Sequence, residues 1–224
     1  MSNFIVDPYR YVAGGIDIEY DFCNNTVVPT WTTVSPASIN TGACQLETTV
    51  FDNDLSPLAY TGEFEDLGET NWTLDYDVNV NSSAGAINNY VGVVCLSNVI
   101  DVRNGETSGD GYMVMFNLSD NKFGFGTMEG GTRNYGGSTL LNYTATRGTT
   151  YYLRSQRTAP DTVFNGLYAN ATDRNNGTSA LGTFTYTLGQ TVDSLTRIVA
   201  FYGEDSGANG SSYQDIYYIK LVQD

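Results

Sequence analysis

Residues 112–125 read Tyr112-Met113-Val114-Met115-Phe116-Asn117-Leu118-Ser119-Asp120-Asn121-Lys122-Phe123-Gly124-Phe125. Tyr112, Val114, Phe116 and Leu118 alternate with Met113, Met115 and Asn117. A period of two belongs to a strand, whose successive side chains point to opposite faces. Ser119-Asp120-Asn121 tolerates a tight turn, and Phe123 and Phe125 resume the alternation, so the stretch predicts a hairpin. Met113 and Met115 make its second face partly apolar too. The hairpin is therefore expected mid-sheet, covered on both sides, with the remaining strands laid down around it.

Outward from the hairpin the same reading continues. Ile16 to Phe22 alternates cleanly and predicts the first strand, while residues 24–43, rich in Asn, Thr, Ser, Pro and Gly, predict a long surface loop carrying Trp31. Gln45 to Phe51 predicts a short strand and residues 52–68 a loop. Trp72, Leu74, Tyr76, Val78 and Val80 alternate with Thr73, Asp75, Asp77 and Asn79, a half-exposed strand whose acidic pair faces water. Tyr90 to Leu96 is almost continuously apolar, the mark of a buried central strand. Met128 to Thr139 is glycine-rich and reads as too flexible for a strand core. Strands follow at 150–157, 164–170, 182–188, 197–203 and 213–222. No stretch sustains a 3.6-residue period beyond two turns, so very little helix is expected. About eleven strands joined by long loops predict an all-β, antiparallel two-sheet sandwich. It forms one domain over residues 14–224, behind an extended arm at residues 1–13.

Composition narrows the function. The 224 residues carry 10 Lys and Arg against 25 Asp and Glu, a net charge of −15. Nucleic acid and anionic membrane are excluded as partners, since both are bound through basic residues. Histidine is absent, which removes the usual general base and the commonest metal ligand. Cys23, Cys44 and Cys95 include no C-x-x-C element, which argues against zinc or iron–sulfur. Cys23 and Cys44 could pair in an oxidising compartment, but the odd count leaves one thiol over, and buried free thiols are the expectation. Neither a signal peptide nor an apolar run of membrane-spanning length is seen, so synthesis in a cytoplasm is expected.

The order of motifs carries a resemblance. Strands around Trp72–Val80 and Tyr90–Leu96 are followed by Gly-Asp-Gly-Tyr at 109–112 and Thr149-Thr150-Tyr151-Tyr152-Leu153-Arg154. Ile198–Tyr202 then precedes a closing strand, with Asp215 just ahead of Ile216-Tyr217-Tyr218-Ile219. That order resembles the concanavalin A-like jelly roll of lectins, laminin-G modules and glucanases, and spans residues 14–222. The leader Asn3-Phe4-Ile5-Val6-Asp7-Pro8-Tyr9-Arg10-Tyr11 resembles the starts of tailed-bacteriophage structural proteins that carry such a domain. In that setting Phe4, Ile5, Val6, Pro8, Tyr9 and Tyr11 would form an assembly arm. Packing of the same segment on its own domain is the alternative.

Catalytic templates fail. The glucanases of this fold place three carboxylates as Glu-x-Asp-x-x-Glu on one strand, because retaining hydrolysis needs two carboxyls about 5–5.5 Å apart. Glu19-Tyr20-Asp21 is followed by Asn24 where a Glu is required, and Glu63-Phe64-Glu65-Asp66-Leu67-Gly68-Glu69 has the wrong spacing. G-x-S-x-G and Walker-type loops are missing. A non-enzyme without cofactor is expected, with calcium a candidate on acidic loops. Such loops hold Asp52-Asn53-Asp54, Asp101/Asp110, Asp173/Asn175/Asn176 and Glu204-Asp205. Asp52, Asp54 and Asp215 are the ligands singled out. Sugar rings would stack on Trp31, Tyr135 or Tyr202. The leading expectation is a non-catalytic virion structural protein (capsid decoration, head, or tail-fibre attachment component) partnered by other virion proteins or sister copies as a homo-oligomer. The alternative is a carbohydrate-binding module or lectin, calcium-dependent or not, that recognises a cell-surface glycan.

Overall fold

A computed structural model of the chain describes residues 15–23, 29–51, 59–67, 71–82, 90–100, 102, 109–134, 139–188, 192, 194–201 and 212–223. The expected arm, residues 1–13, lies outside the described residues.

The opening hairpin forms as read. Strands β8 (Gly111–Asn117) and β9 (Lys122–Glu129) pair antiparallel, with Phe116 opposite Phe123 and Val114 opposite Phe125. Asn117 Oδ1 accepts the backbone N–H groups of Ser119 (2.8 Å) and Asp120 (2.9 Å), so an Asn side chain closes the turn locally. Every residue of β8 is buried. Tyr112, Val114 and Phe116 enter the main core. Met113 and Met115 join a second cluster with Cys95, Val102, Met128 and Val199 on the opposite face. The hairpin is covered on both faces as expected, but it sits toward one side of its sheet, with β9 next to the short edge strand β10 (Thr132–Asn134).

Around it run β7 (Tyr90–Ser97), β14 (Arg197–Ala200), β5 (Ala59–Thr61) and β2 (Trp31–Thr33) on one side and β10 (Thr132–Asn134) on the other, in the order β10-β9-β8-β7-β14-β5-β2. The second sheet has the order β13 (Gly182–Thr187), β12 (Thr162–Tyr168), β11 (Thr150–Ala159), β6 (Trp72–Ser82), β15 (Ser212–Gln223), β4 (Gln45–Phe51), β3 (Ala37–Asn40). Its eighth strand, β1 (Asp17–Asp21), pairs β15 beside β4. Among the described residues one helix occurs, α1 (Ala171–Asn176). No helix among them is long and apolar enough to cross a membrane. The core fills the space between the two sheets. Three of its polar side chains meet on one atom: Tyr112 and Ser155 both donate to Asn165 Oδ1, at 2.6 and 2.7 Å.

Four expectations need correction. Residues 52–68, expected as a loop, contain β5, which pairs with both β14 and β2. Residues 24–43 are not one loop, since they contain β2 and β3, and Trp31 is 7% exposed against the rings of Tyr20 and Phe22. Cys23 and Cys44 form a disulfide rather than two free thiols. They meet because β1 and β4 flank the same side of β15. Cys95 is the buried free thiol that was expected. The glycine-rich stretch after Met128 continues β9 and returns as β10, because Gly130 and Gly131 both adopt positive φ (53° and 80°), the conformation of a tight hairpin turn.

Candidate functional site

The outer face of the eight-stranded sheet holds the densest array of chemistry among the described residues, and strand register places each member. Asp75 lies opposite Arg154 on β11 and Lys220 on β15, and Lys220 lies opposite Glu19 on β1. One row across four strands therefore reads Glu19–Lys220–Asp75–Arg154, alternating in sign as cross-strand pairs favour. Arg154 grips Asp75 with two bonds, Nε to Oδ1 and Nη2 to Oδ2, both 2.7 Å. The Lys220 ammonium lies 3.2 Å from Glu19 and 3.5 Å from Asp17.

The next row carries Tyr152, Asp77 and Tyr218. Here α1 intrudes. Asn170 caps the helix by accepting the Asp173 N–H at 2.9 Å, and Gly177 ends it with φ 65°, so a segment too short to be stable alone is defined at both ends. Its Arg174 side chain is only 3% exposed. It pairs with Asp77, lies 4.0 Å from Asp75, and sits over the ring of Tyr218 at 4.9 Å. The acidic pair expected to face water is thus largely covered, Asp75 being 6% exposed. Burial, aided by Asp75, outweighs Arg174 and pushes the Asp77 carboxyl up to about 6.

Strand β15 departs from the period of two. Ile216 and Ile219 both point into the core, and the register shifts between Ile216 and Tyr218, so Tyr217 is an inserted residue. The bulge turns two consecutive tyrosines, both part-exposed, onto the outer face. The Tyr217 hydroxyl lies among Asn79, Thr150 and Asp215, and burial followed by the Asp215 charge pushes it up. Asp215 stands directly opposite Glu47 on β4. Burial and then that like charge push Asp215 up. Gln45 Nε2 bridges the two, donating to Glu47 and, at 3.4 Å, to Asp215, and Asn40 donates to Glu47 at 3.5 Å.

The residues named from sequence fare unevenly. Trp31 belongs to the core and offers no ring to a sugar. Tyr135, Tyr202, Asp52 and Asp54 lie outside the described residues, as do Asp101, Glu204 and Asp205. Asp110 accepts the Gly130 N–H at 2.8 Å and Asp173 serves its own helix cap, so both have structural duties. Asp215 is on the candidate face, where Gln45 Nε2 donates to it at 3.4 Å, while the two ligands expected beside it, Asp52 and Asp54, are among the residues not described. Asp21, Cys23 and Cys44 converge, yet both sulfurs are spent in the disulfide. Sequence reasoning missed Tyr217, Tyr218, Arg154, Arg174 and Glu47. The spacing Ile216-x-x-Ile219 inside a strand was the available signal for the first two.

No protein-family model matches the chain, and neither does any curated protein. Solved structures match it in fold. Basic winged bean lectin, in complex with Tn-antigen, superposes with a TM-score of 0.58 at 10% identity, over 94% of this chain and 98% of the lectin. The fold is the lectin-type jelly roll. The carbohydrate recognition domain of Emp47p gives 0.57 at 11% identity over 92% and 94% of the two chains. The polysaccharide lyase family 7 alginate lyase AlgAT5 gives 0.52 at 11% identity over 86% and 85%. Identities this low speak for architecture alone.

Proposed function

We propose that this protein is a non-catalytic glycan-recognition module that binds on the outer face of the eight-stranded sheet. One observation carries the reading: the β15 bulge aims Tyr217 and Tyr218 together onto a rigid, polar face set with Asp77, Asn79, Asp215 and Glu47. The part-exposed Tyr217 ring supplies the flat apolar contact that a pyranose face accepts, with Tyr218 beside it partly covered by Arg174, while fixed carboxylate and amide groups take the sugar's hydroxyls. Lectin-type neighbours of the same architecture support the reading. The basic groups of this face, Arg154, Arg174 and Lys220, are each taken by a carboxylate, whereas among the described residues Glu47 and Asp215 face each other with no cation between them. The preferred ligand is therefore an uncharged saccharide, not an acidic one.

Catalysis is not part of the proposal. Asp75 and Asp77 are held by guanidinium groups and Glu47 and Asp215 by Gln45, so neither pair is poised as a free acid and base. Release of reducing sugar from β-glucans would contradict this. A glycan array run with and without chelator tests the binding itself. Sugar-competable binding that survives chelation, and falls roughly tenfold or more in Tyr217→Ala and Tyr218→Ala, is expected. Unchanged binding by both variants refutes the site.

The virion reading is the second one, since an attachment component would use the same face. It rests on the leader. Mass spectrometry of purified particles tests it, and absence of the chain from them rejects it.

A further inference from the structure

The two sheets have edges, and most of those described are guarded against pairing with another chain. β2 and β10 are three residues long. β3 has four residues and follows Pro36, and β1 carries Asp17, Glu19 and Asp21 in five. Short length, proline and charge are the usual devices that blunt an edge. β13 has none of them. Its six residues, Gly182-Thr183-Phe184-Thr185-Tyr186-Thr187, pair only with β12 among the described residues. They lie within a run from Gly177 to Val192 without a single charged side chain, in a chain of net charge −15.

Which backbone groups face outward follows from the register. Leu188 N–H donates to Asp161 O at 2.7 Å, one step beyond the pair Thr187–Thr162. Antiparallel pairs alternate between hydrogen-bonded and non-bonded, so Tyr186 and Phe184 turn their N–H and C=O groups toward β12. Thr183, Thr185 and Thr187 turn theirs away from it. The same three threonines have exposed side chains, while Tyr186 is buried and Phe184 stacks on Phe125 of the other sheet at 6.0 Å.

The strand is also its own mirror in chemical type: Thr-aromatic-Thr-aromatic-Thr, centred on Thr185. We infer that β13 is an interface for a second copy of this chain, paired antiparallel about a two-fold axis at Thr185. In that register Thr185 meets Thr185 of the other copy, Thr183 meets Thr187, and each such pair exchanges two backbone hydrogen bonds. Threonine side chains face one another along the row, a favourable cross-strand pairing. The two eight-stranded sheets then run on as one. Charge singles out the occupant's approach, because two chains of like net charge meet most easily along an uncharged edge. The inference does not rest on the proposed glycan site.

The test is the mass of the full-length protein in solution, by light scattering or sedimentation equilibrium up to about 100 µM, well above a micromolar dissociation constant. Wild type is expected at twice the chain mass. Thr185→Pro removes an N–H that does not face β12, so the fold is kept while the axis loses its donors. Thr185→Lys leaves the backbone intact and sets two like charges opposite each other at the axis. Both variants, checked for native fold by circular dichroism, are expected to raise the dimer dissociation constant at least roughly tenfold. If Thr185→Pro fails to fold, Thr185→Lys decides alone. A monomeric wild type, or a dimer unaffected by the lysine, overturns the inference.

Discussion

Replacing Arg174 with methionine probes the polar face most directly. The guanidinium is almost fully buried and joins α1 to Asp77, Asp75 and the ring of Tyr218. Removing one member of a buried ion pair costs about 3–5 kcal/mol, because an uncompensated charge stays behind. Two features lower that figure here: Asp75 keeps both bonds from Arg154, and Asp77 retains 14% side-chain exposure. Loss of the ring contact adds about 0.5–1 kcal/mol, while methionine preserves the packing of the aliphatic stem. A loss of about 2–3 kcal/mol at pH 8 is expected.

The sign of the pH dependence follows from Asp77. Its carboxyl holds a proton up to about 6 in the folded protein, against an ordinary 3.8. Across that window the folded state binds more protons than the unfolded chain. This group's contribution to stability therefore falls as pH rises from 3.8 to about 6 and levels off above. Without Arg174 the carboxyl loses the guanidinium that lowers it and rises further, so Arg174→Met should cost less at pH 5 than at pH 8. Urea denaturation at the two pH values measures both numbers. Adding Asp77→Asn should restore most of the loss at pH 8, since no orphaned carboxylate remains. A loss below about 0.5 kcal/mol, the scale of a surface pair, or an equal loss at both pH values, refutes the account.

Two further outcomes follow from the fold. Reducing Cys23–Cys44, which spans a sequence separation of 21, should destabilise by about 3 kcal/mol and lower Tm by roughly 6–12 °C. An unchanged melt with both thiols shown free by labelling would contradict this. Gly166→Ala should cost about 1–3 kcal/mol, because a Cβ there would lie 2.5 Å from the Tyr168 hydroxyl and 2.7 Å from its ring. Tyr168 is buried at 2% exposure and has little room to swing aside, so near-wild-type stability would show that the face yields easily.

The long strands were legible because one of their faces is uniformly apolar. Gln45–Phe51 was read with the boundaries the structure gives, and the strands from Trp72 and Tyr90 fell within two residues at their ends. β2, β3, β5 and β10 were not legible, since three or four residues are too few to display a period against a polar, turn-rich background. Trp31 shows the consequence. Local composition placed it in a loop, whereas its burial is decided by Tyr20 and Phe22, residues of and beside a strand in the other sheet. Cys23 with Cys44 is the pairing the sequence offers, but preferring it to free thiols requires knowing that β1 and β4 share one flank of β15, which no local pattern encodes.

The candidate face adds a different lesson. Alternation in β6 told correctly that Asp75 and Asp77 point away from the core, but a period of two cannot tell what lies on top of them. The cover is a helix of six residues, below the length at which a 3.6-residue period is visible, and its only signals were the Asn170 cap and Gly177. On β15 the information was present but looked like noise. Isoleucines three apart in an otherwise alternating strand cannot both face the core unless an extra residue is inserted between them. That insertion puts Tyr217 beside Tyr218 instead of behind it. The same irregularity that blurs the strand in sequence thus builds the aromatic pair in space, so departures from period inside confident strands are the places where this chain's surface chemistry was to be sought.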